Sequence, residues 1–351
     1  MTQILKQEFN ETTISHIAVA TPEYFQTSEE IERELSEIYY DLKLSKGRLE
    51  FLTGVTSRGF WPLATRPSDI ATLAGEKLFN SYNIKREEID FLIYSGVSRN
   101  ALEPATASFV HANLKLKNHC PFFDLSNACL GMMDSLHIAA NLLNHQIKKI
   151  LIVSGEHASP LYYQSIQYLK NLKRVSKLNR KEMRHLLANF TLGSAGIATL
   201  ICKSECPGLK INRLIQLTDS SGAHLCHGST DGEHLMMQTD SEELMKRGLT
   251  LSQKLWSAGH QFLFPTKRPN LIFTHQVGSA HHKELLSTLE LSDILAPKTF
   301  EKWGNTGSAA LPLTIATHLF HSDRQKNIDN IALLAIGSGL SSMMLQGDYY
   351  V

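Results

Sequence analysis

No long apolar run, no excess of charge and no dense cysteine pattern marks this 351-residue chain. Apolar stretches such as ILIVSG are far too short to span a bilayer, so no membrane insertion is expected. The opening MTQILKQEFNETT lacks the basic-then-apolar pattern of a secretory signal, which points to a cytoplasmic protein. With 35 basic and 34 acidic residues, the formal net charge is only +1, and no global field argues for nucleic acid. Five cysteines is an odd number in a long chain and suits a reducing compartment better than a disulfide framework. HExxH, Walker A and a GxGxxG after a strand are all missing. Low-complexity tracts and Gly/Ser/Pro linkers are missing too, so no flexible hinge is expected.

What is present is a globular composition, 42% apolar and 20% charged, long enough for one large or two medium domains. Aliphatic runs at 89–95, 120–125, 148–155, 196–202, 269–275 and 330–337 read as strands. Helical stretches fall at 28–43, 68–83, 128–145, 240–260, 280–289 and 308–321. The alternation indicates an α/β fold with largely buried sheets. It also repeats. FLIYSGVS near Tyr94 resembles LIFTHQVGS near Thr274, LSNACLGMM at Asn127 resembles WGNTGSAAL at Asn305, and ILIVSGEHAS at Gly155 resembles ALLAIGSGLSS at Gly337. The offsets 274 − 94, 305 − 127 and 337 − 155 are 180, 178 and 182, which suggests duplicated halves. The cysteine turn of one half would then face the asparagine turn of the other.

The segment 160–190 has no counterpart in the second half. It reads as helical and strongly basic, with Lys170, Lys173, Arg174, Lys177, Arg180, Lys181 and Arg184 against Glu182. It is either a solvated helix face or a docking surface for a phosphorylated carrier such as coenzyme A or acyl carrier protein.

Cys129 lies in FFDLSNACLGMMDSLHIAANLL, a buried strand, a polar turn and an apolar helix. This places the cysteine on the first turn of the helix, where unpaired N–H groups and the dipole favour a thiolate. The alternative is a small core residue in a stripe with Met132, Met133 and Leu136. A cysteine nucleophile needs proton management and an oxyanion pocket. His275 closes the strand PNLIFTH at the edge where α/β proteins bind ligands. Asn305 sits in the glycine-flanked turn KWGNTGSAALP, and Gly337 and Gly339 in AIGSGLSS allow close backbone approach. Taken singly, each of these is equally a structural histidine, a turn asparagine or a plain turn.

The order of these motifs, with TGV at 53–55 and TLGSAG at 191–196, resembles the thiolase superfamily, and within it the 3-oxoacyl-acyl-carrier-protein synthase III type. The resemblance runs from about Ile17 to the C-terminus. It implies a five-layered αβαβα fold of two pseudo-symmetric halves, 1–207 holding Cys129 and the insertion, and 208–351 holding His275 and Asn305. It further implies a homodimer, a Cys129–His275–Asn305 triad, and an oxyanion held by the N–H of Cys129 and one near Ser338. Coenzyme A or acyl carrier protein thioesters would be substrates, with no separate cofactor and no metal.

SGVSRNALEPATASFVHANL (95–114), the 160–190 insertion and MMQTDSEELMKRGLTLSQK (236–254) resemble the olefin-pathway branch, which condenses two acyl-CoA thioesters head to head. There, a glutamate of the LEP turn enters the partner subunit as a base, and Glu103 matches it. By residue type alone Glu103 is a solvated residue held extended by Pro104. One departure concerns the carrier. The tryptophan that often precedes the TG(I/V) motif is missing from KGRLEFL, where Arg48 stands, and Trp61 follows the motif instead. The expected activity is thus a Claisen condensation through acyl-Cys129. The alternatives are a decarboxylative synthase III using malonyl-carrier and an inactive acyl-binding or assembly protein. Cys202 and Cys206 with Cys226 and His227 form only a remote zinc candidate.

Overall fold

In the computed structural model, which describes residues 2–203, 206–230, 235–321 and 326–351, buried strands and helices alternate along the chain. The strands are β1 (Leu5–Ala20), β2 (Tyr24–Thr27), β3 (Ser57–Phe60), β4 (Phe91–Ser95), β5 (Phe122–Leu125), β6 (Lys149–Glu156) and β7 (Ala195–Cys202). They continue with β8 (Gly208–Thr218), β9 (Cys226–Thr230), β10 (Leu235–Thr239), β11 (Leu271–Thr274), β12 (Ile328–Gly337) and β13 (Ser341–Tyr350). The α-helices are α1 (Ser28–Glu34), α2 (Ser36–Asp41), α3 (Arg48–Thr53), α4 (Pro67–Tyr82), α5 (Thr106–Asn113) and α6 (Gly131–Leu142). After them come α7 (Ser159–Arg174), α8 (Arg180–Leu186), α9 (Ser241–Leu263), α10 (Ser279–Thr288), α11 (Phe300–Trp303) and α12 (Ala310–Ile315).

Nine strands form one mixed sheet in the order β11-β12-β13-β8-β1-β7-β6-β4-β5. The order is mirrored about the antiparallel β1–β8 pair. On one side β4–β6 is parallel while β6–β7 and β7–β1 are antiparallel. On the other, β11–β12 is parallel while β12–β13 and β13–β8 are antiparallel. Tyr94 sits opposite Val153, and Thr274 opposite Leu334, so the repeated sequence segments occupy corresponding strands.

Strand periodicity of two explains the layers. Ile93, Ile152 and Leu333 face a central core with Met132, Met133 and Leu136 of α6 and Leu311, Leu313 and Ile315 of α12. Their neighbours Leu92, Leu151 and Val153 point the opposite way, against Ala74 and Leu78 of α4 and Val110 of α5. Ala332 and Leu334 likewise face Leu255 of α9 and Leu285 of α10. Strands buried on both faces read as continuous aliphatic runs, and these make up most of the ones visible in the sequence, the edge strand β5 being partly exposed.

Three strands of the sheet, β1, β8 and β13, lie outside the expected set. The first half of β1 is largely exposed and polar, and β13 carries Gln346, Gly347 and Asp348, so neither shows an aliphatic run. Segment 28–43 splits at Leu35 into α1 and α2. Segment 160–190 is helical as read, forming α7 and α8, and Lys173 pairs with Glu37 and Asp41 at 2.9 and 3.1 Å. No helix among the described residues is long and apolar enough to cross a membrane.

Candidate active site

Cys129 precedes α6 rather than lying on its first turn, because the helix begins at Gly131. Ala128 adopts φ +46°, and the N–H groups of Leu130 and Gly131 donate to Asn127 O and Ala128 O at 3.0 and 3.3 Å. Asn127 Nδ2 donates to Asp134 Oδ2 at 2.7 Å, pinning this tight turn to the start of α6. Gly131 permits the approach of two other segments. A Cβ there would lie 2.7 Å from Ser95 Oγ and 3.0 Å from Ser308 Oγ.

Two further turns meet this one. Ser308 Oγ donates to Ala128 O at 3.0 Å, so the Asn305–Ser308 turn and the Cys129 turn are in direct contact. A Cβ on Gly337 would lie 3.0 Å from Leu130 Cγ and 3.4 Å from Asn127 O, which brings the turn holding Ser338 against the same segment. Gly339, at φ +109°, occupies a conformation that suits glycine.

Asn305 is buried and fixed on both sides. Its N–H donates to Thr191 O at 2.8 Å and its carbonyl accepts from Gly193 N at 2.9 Å, so TLGSAG forms its cradle. Its Oδ1 accepts from Gly307 N at 3.0 Å, which leaves Nδ2 as the end that can donate to a ligand. His275 follows β11, and its N–H donates to Leu334 O at 2.8 Å. It is fully buried, and neither ring nitrogen has a hydrogen-bond partner among the described residues. Burial, and then the neighbouring His281, push its pKa down to about 3, so the imidazole is neutral at pH 7.

The expected thiolate is not found. Cys129 keeps an opening to solvent, yet it lies deep in the protein. Desolvation first, then the nearby Glu156 and Cys226, push its thiol up to about 12. Removal of water outweighs the helix field because α6 starts two residues later and a carboxylate stands close by. Cys129 is thus a protonated thiol and His275 a neutral imidazole near pH 7.

Sequence reasoning missed Glu156, the last residue of β6 and only 5% exposed. Its Oε1 accepts from Val97 N at 3.0 Å and Ser308 N at 3.1 Å, and its Oε2 from Ser98 N at 3.1 Å. A carboxylate closing the apolar run KKILIVSG was the available signal. Glu103, in contrast, is exposed in the β4–α5 loop beside Leu102, itself 94% exposed, and lies outside the buried cluster of its own chain. Arg48 is exposed at the start of α3, and Trp61 O accepts from Ser159 Oγ at 2.7 Å.

No group of three or more His, Cys, Asp or Glu among the described residues is placed to hold a metal. Cys202 is raised to about 12 by burial and then by contact with Cys206, whereas Cys226 approaches Thr239 Oγ1 at 3.5 Å. Ser204 and Glu205, within the zinc candidate, lie outside the described residues.

The family model for 3-oxoacyl-[acyl-carrier-protein] synthase III matches residues 123–165, and that for its C-terminal part matches 266–346. The chain is 32% identical to the acyl-CoA:acyl-CoA alkyltransferase of Xanthomonas campestris pv. campestris, over 96% of this chain and 98% of that protein. Cerulenin-bound Xanthomonas campestris OleA matches with a TM-score of 0.88 at 29% identity, covering 97% of this chain and 98% of the other. OleA has also been solved with a cysteine, a histidine or a glutamate replaced. The 3-oxoacyl-(acyl carrier protein) synthase III FabH of Xanthomonas oryzae pv. oryzae matches at 0.87 and 29% identity, over 98% of this chain and 100% of that one. With its mirrored sheet and central helix pair, the chain belongs to the thiolase-fold condensing enzymes of the 3-oxoacyl-acyl-carrier-protein synthase III type, on the branch of the acyl-CoA:acyl-CoA alkyltransferases.

Proposed function

We propose that the chain transfers an acyl group from acyl-CoA to Cys129 and condenses it with a second acyl-CoA to a β-keto product. The observation that carries this reading is the meeting of the Ser308 and Gly337 turns with the turn that presents Cys129, with a buried imidazole of unengaged nitrogens at the end of β11. The names of the relatives support acyl-CoA on both sides of the reaction.

In the first step the sulfur of Cys129 attacks the thioester carbonyl while its proton passes to neutral His275. The C–S bond to coenzyme A breaks and the free thiol leaves with that proton. The N–H of Cys129 and one near Ser338 would hold the oxyanion. In the second step a base removes the α-proton of the second acyl-CoA. Asn305 Nδ2 and His275 hydrogen-bond the enolate oxygen, and the α-carbon attacks the acyl-Cys129 carbonyl. The C–S bond to Cys129 then breaks, and the thiolate takes up the proton that the base removed, which restores both thiol and base. Glu103 of a second copy is the base in this scheme. The exposed Leu102 and Val97 on its loop support a covered, subunit-bridging position, and so a homodimer. We divide the chain into a half at 1–207 with the nucleophile and one at 208–351 with His275 and Asn305, acting in the cytoplasm.

Incubation with a labelled long-chain acyl-CoA alone tests the reading, which expects a coupled β-keto product. Product formed only when malonyl-carrier is added would establish the decarboxylative reaction instead. A Cys129 that forms no acyl adduct in intact-mass measurements would indicate a non-catalytic acyl-binding protein.

A further inference from the structure

Glu156 joins segments that are distant in sequence. One carboxylate receives the N–H groups of Val97 and Ser98 from the loop that leads to Glu103, and that of Ser308 from the turn that holds Asn305. Ser308 in turn reaches the Cys129 turn through Ala128 O. The loop is tied down twice more. His157 N donates to Ser98 Oγ at 3.0 Å, and Tyr94 Oη donates to Ser98 O at 2.5 Å. Gly307, at φ +57°, lets its turn lie flat on the carboxylate, where a Cβ would come within 3.0 Å of Glu156 Cδ. A buried carboxylate that accepts three backbone N–H groups makes strong, directional bonds. It therefore sets the spacing of everything attached to it.

We propose that Glu156 is a positioning residue that holds the loop carrying Glu103 in register with the turns of Cys129 and Asn305. The base given to the neighbouring site and the nucleophile of the home site are thereby set by one side chain. This rests on Glu103 serving the partner subunit, as argued above. Glu156 touches no reacting atom in this scheme; it acts by holding the loop, and its charge also contributes to keeping the Cys129 thiol protonated.

Glu156→Gln separates the two attachments. Oε1 can still accept from Val97 and Ser308, but the amide nitrogen then faces the Ser98 N–H, donor against donor. Formation of acyl-Cys129 from labelled acyl-CoA should not fall, because loss of the charge eases ionisation of the thiol, while coupling falls roughly tenfold or more, as for a lost charge-assisted hydrogen bond. Ser98→Ala, which removes the His157 contact and leaves the carboxylate intact, should shift the same ratio in the same direction and serves if Glu156→Gln does not fold. Unchanged coupling in both variants overturns the proposal.

Differently tagged mixed dimers decide where Glu156 acts. A dimer of Cys129→Ala with Glu103→Ala chains has one working site, built from the Cys129 of one chain and the Glu103 of the other. Adding Glu156→Gln to the chain that gives Glu103 should lower coupling, whereas adding it to the chain that gives Cys129 should not. The reverse pattern assigns Glu156 to the nucleophile and overturns the proposal. An inactive parent dimer refutes instead the reading of Glu103 as the partner's base, and the proposal with it.

Discussion

Ser308 Oγ donates to the carbonyl oxygen of Ala128 at 3.0 Å, joining residues 180 positions apart at equivalent turns of the repeated halves. This bond holds the segment that presents Cys129 against the segment that presents Asn305. The active-site geometry therefore depends on how the two halves dock.

Ser308→Ala should remove that tie without creating a clash. A loss of about 1 kcal/mol is expected for one hydrogen bond. Chemical denaturation should show it, together with a several-fold slower acylation of Cys129 followed by intact mass.

Because the thiol of Cys129 is pushed up to about 12, its alkylation should keep accelerating with pH. The thiolate fraction rises roughly tenfold per pH unit below the pKa. The rate of iodoacetamide labelling should therefore climb from pH 7 to pH 10 without a plateau. A plateau near pH 7 would show a pre-formed thiolate and contradict the burial argument.

Acid should destabilise the fold early. His275, His281 and His282 are depressed to about 3, 4 and 4 from an ordinary 6.5, mainly by burial. Their folded-state values lie below the unfolded ones, so their contribution is present above pH 6.5. It is lost as pH falls towards 4 and 3, because the unfolded chain binds protons first. Melting temperature should fall over that window, and His275→Asn should make the decline shallower.

Gly131→Ala places a methyl 2.7 Å from Ser95 Oγ and 3.0 Å from Ser308 Oγ. Overpacking of this kind costs about 1–3 kcal/mol. The variant should melt several degrees lower and acylate Cys129 more slowly, and unaltered acylation would mean that the three turns tolerate spreading.

Glu103→Ala should leave acyl-Cys129 formation intact and abolish coupling of two acyl-CoA molecules. Exposed Glu103 has no packing role in its own chain, so the melting temperature of the monomeric unit should change by less than the assay resolves. Full coupling activity in this variant would remove Glu103 from the mechanism.

Much of this was legible in the amino-acid sequence, for identifiable reasons. β4, β6, β7 and β12 are buried on both faces and appear as aliphatic runs. The candidates Cys129 and Asn305 stand in turns that lead into helices, and His275 at a strand end, where motif and spacing carry the signal. β1 and β13 were not legible, since half-polar strands take their place from partners on either side. Nor was Glu156, because a glutamate becomes a buried anchor only when Val97, Ser98 and Ser308 bring their N–H groups to it.

The sequence by itself determined the alternation of elements, the repeat of about 180 residues and the candidate nucleophile with its histidine and asparagine. Those are local or periodic properties, written in apolar spacing and turn chemistry. Only the tertiary structure decided that Cys129 precedes its helix, that its resting thiol is protonated and that Glu156 ties the Glu103 loop to the site. Each of these depends on solvent exclusion and on contacts between residues far apart in the chain, and no local pattern encodes them.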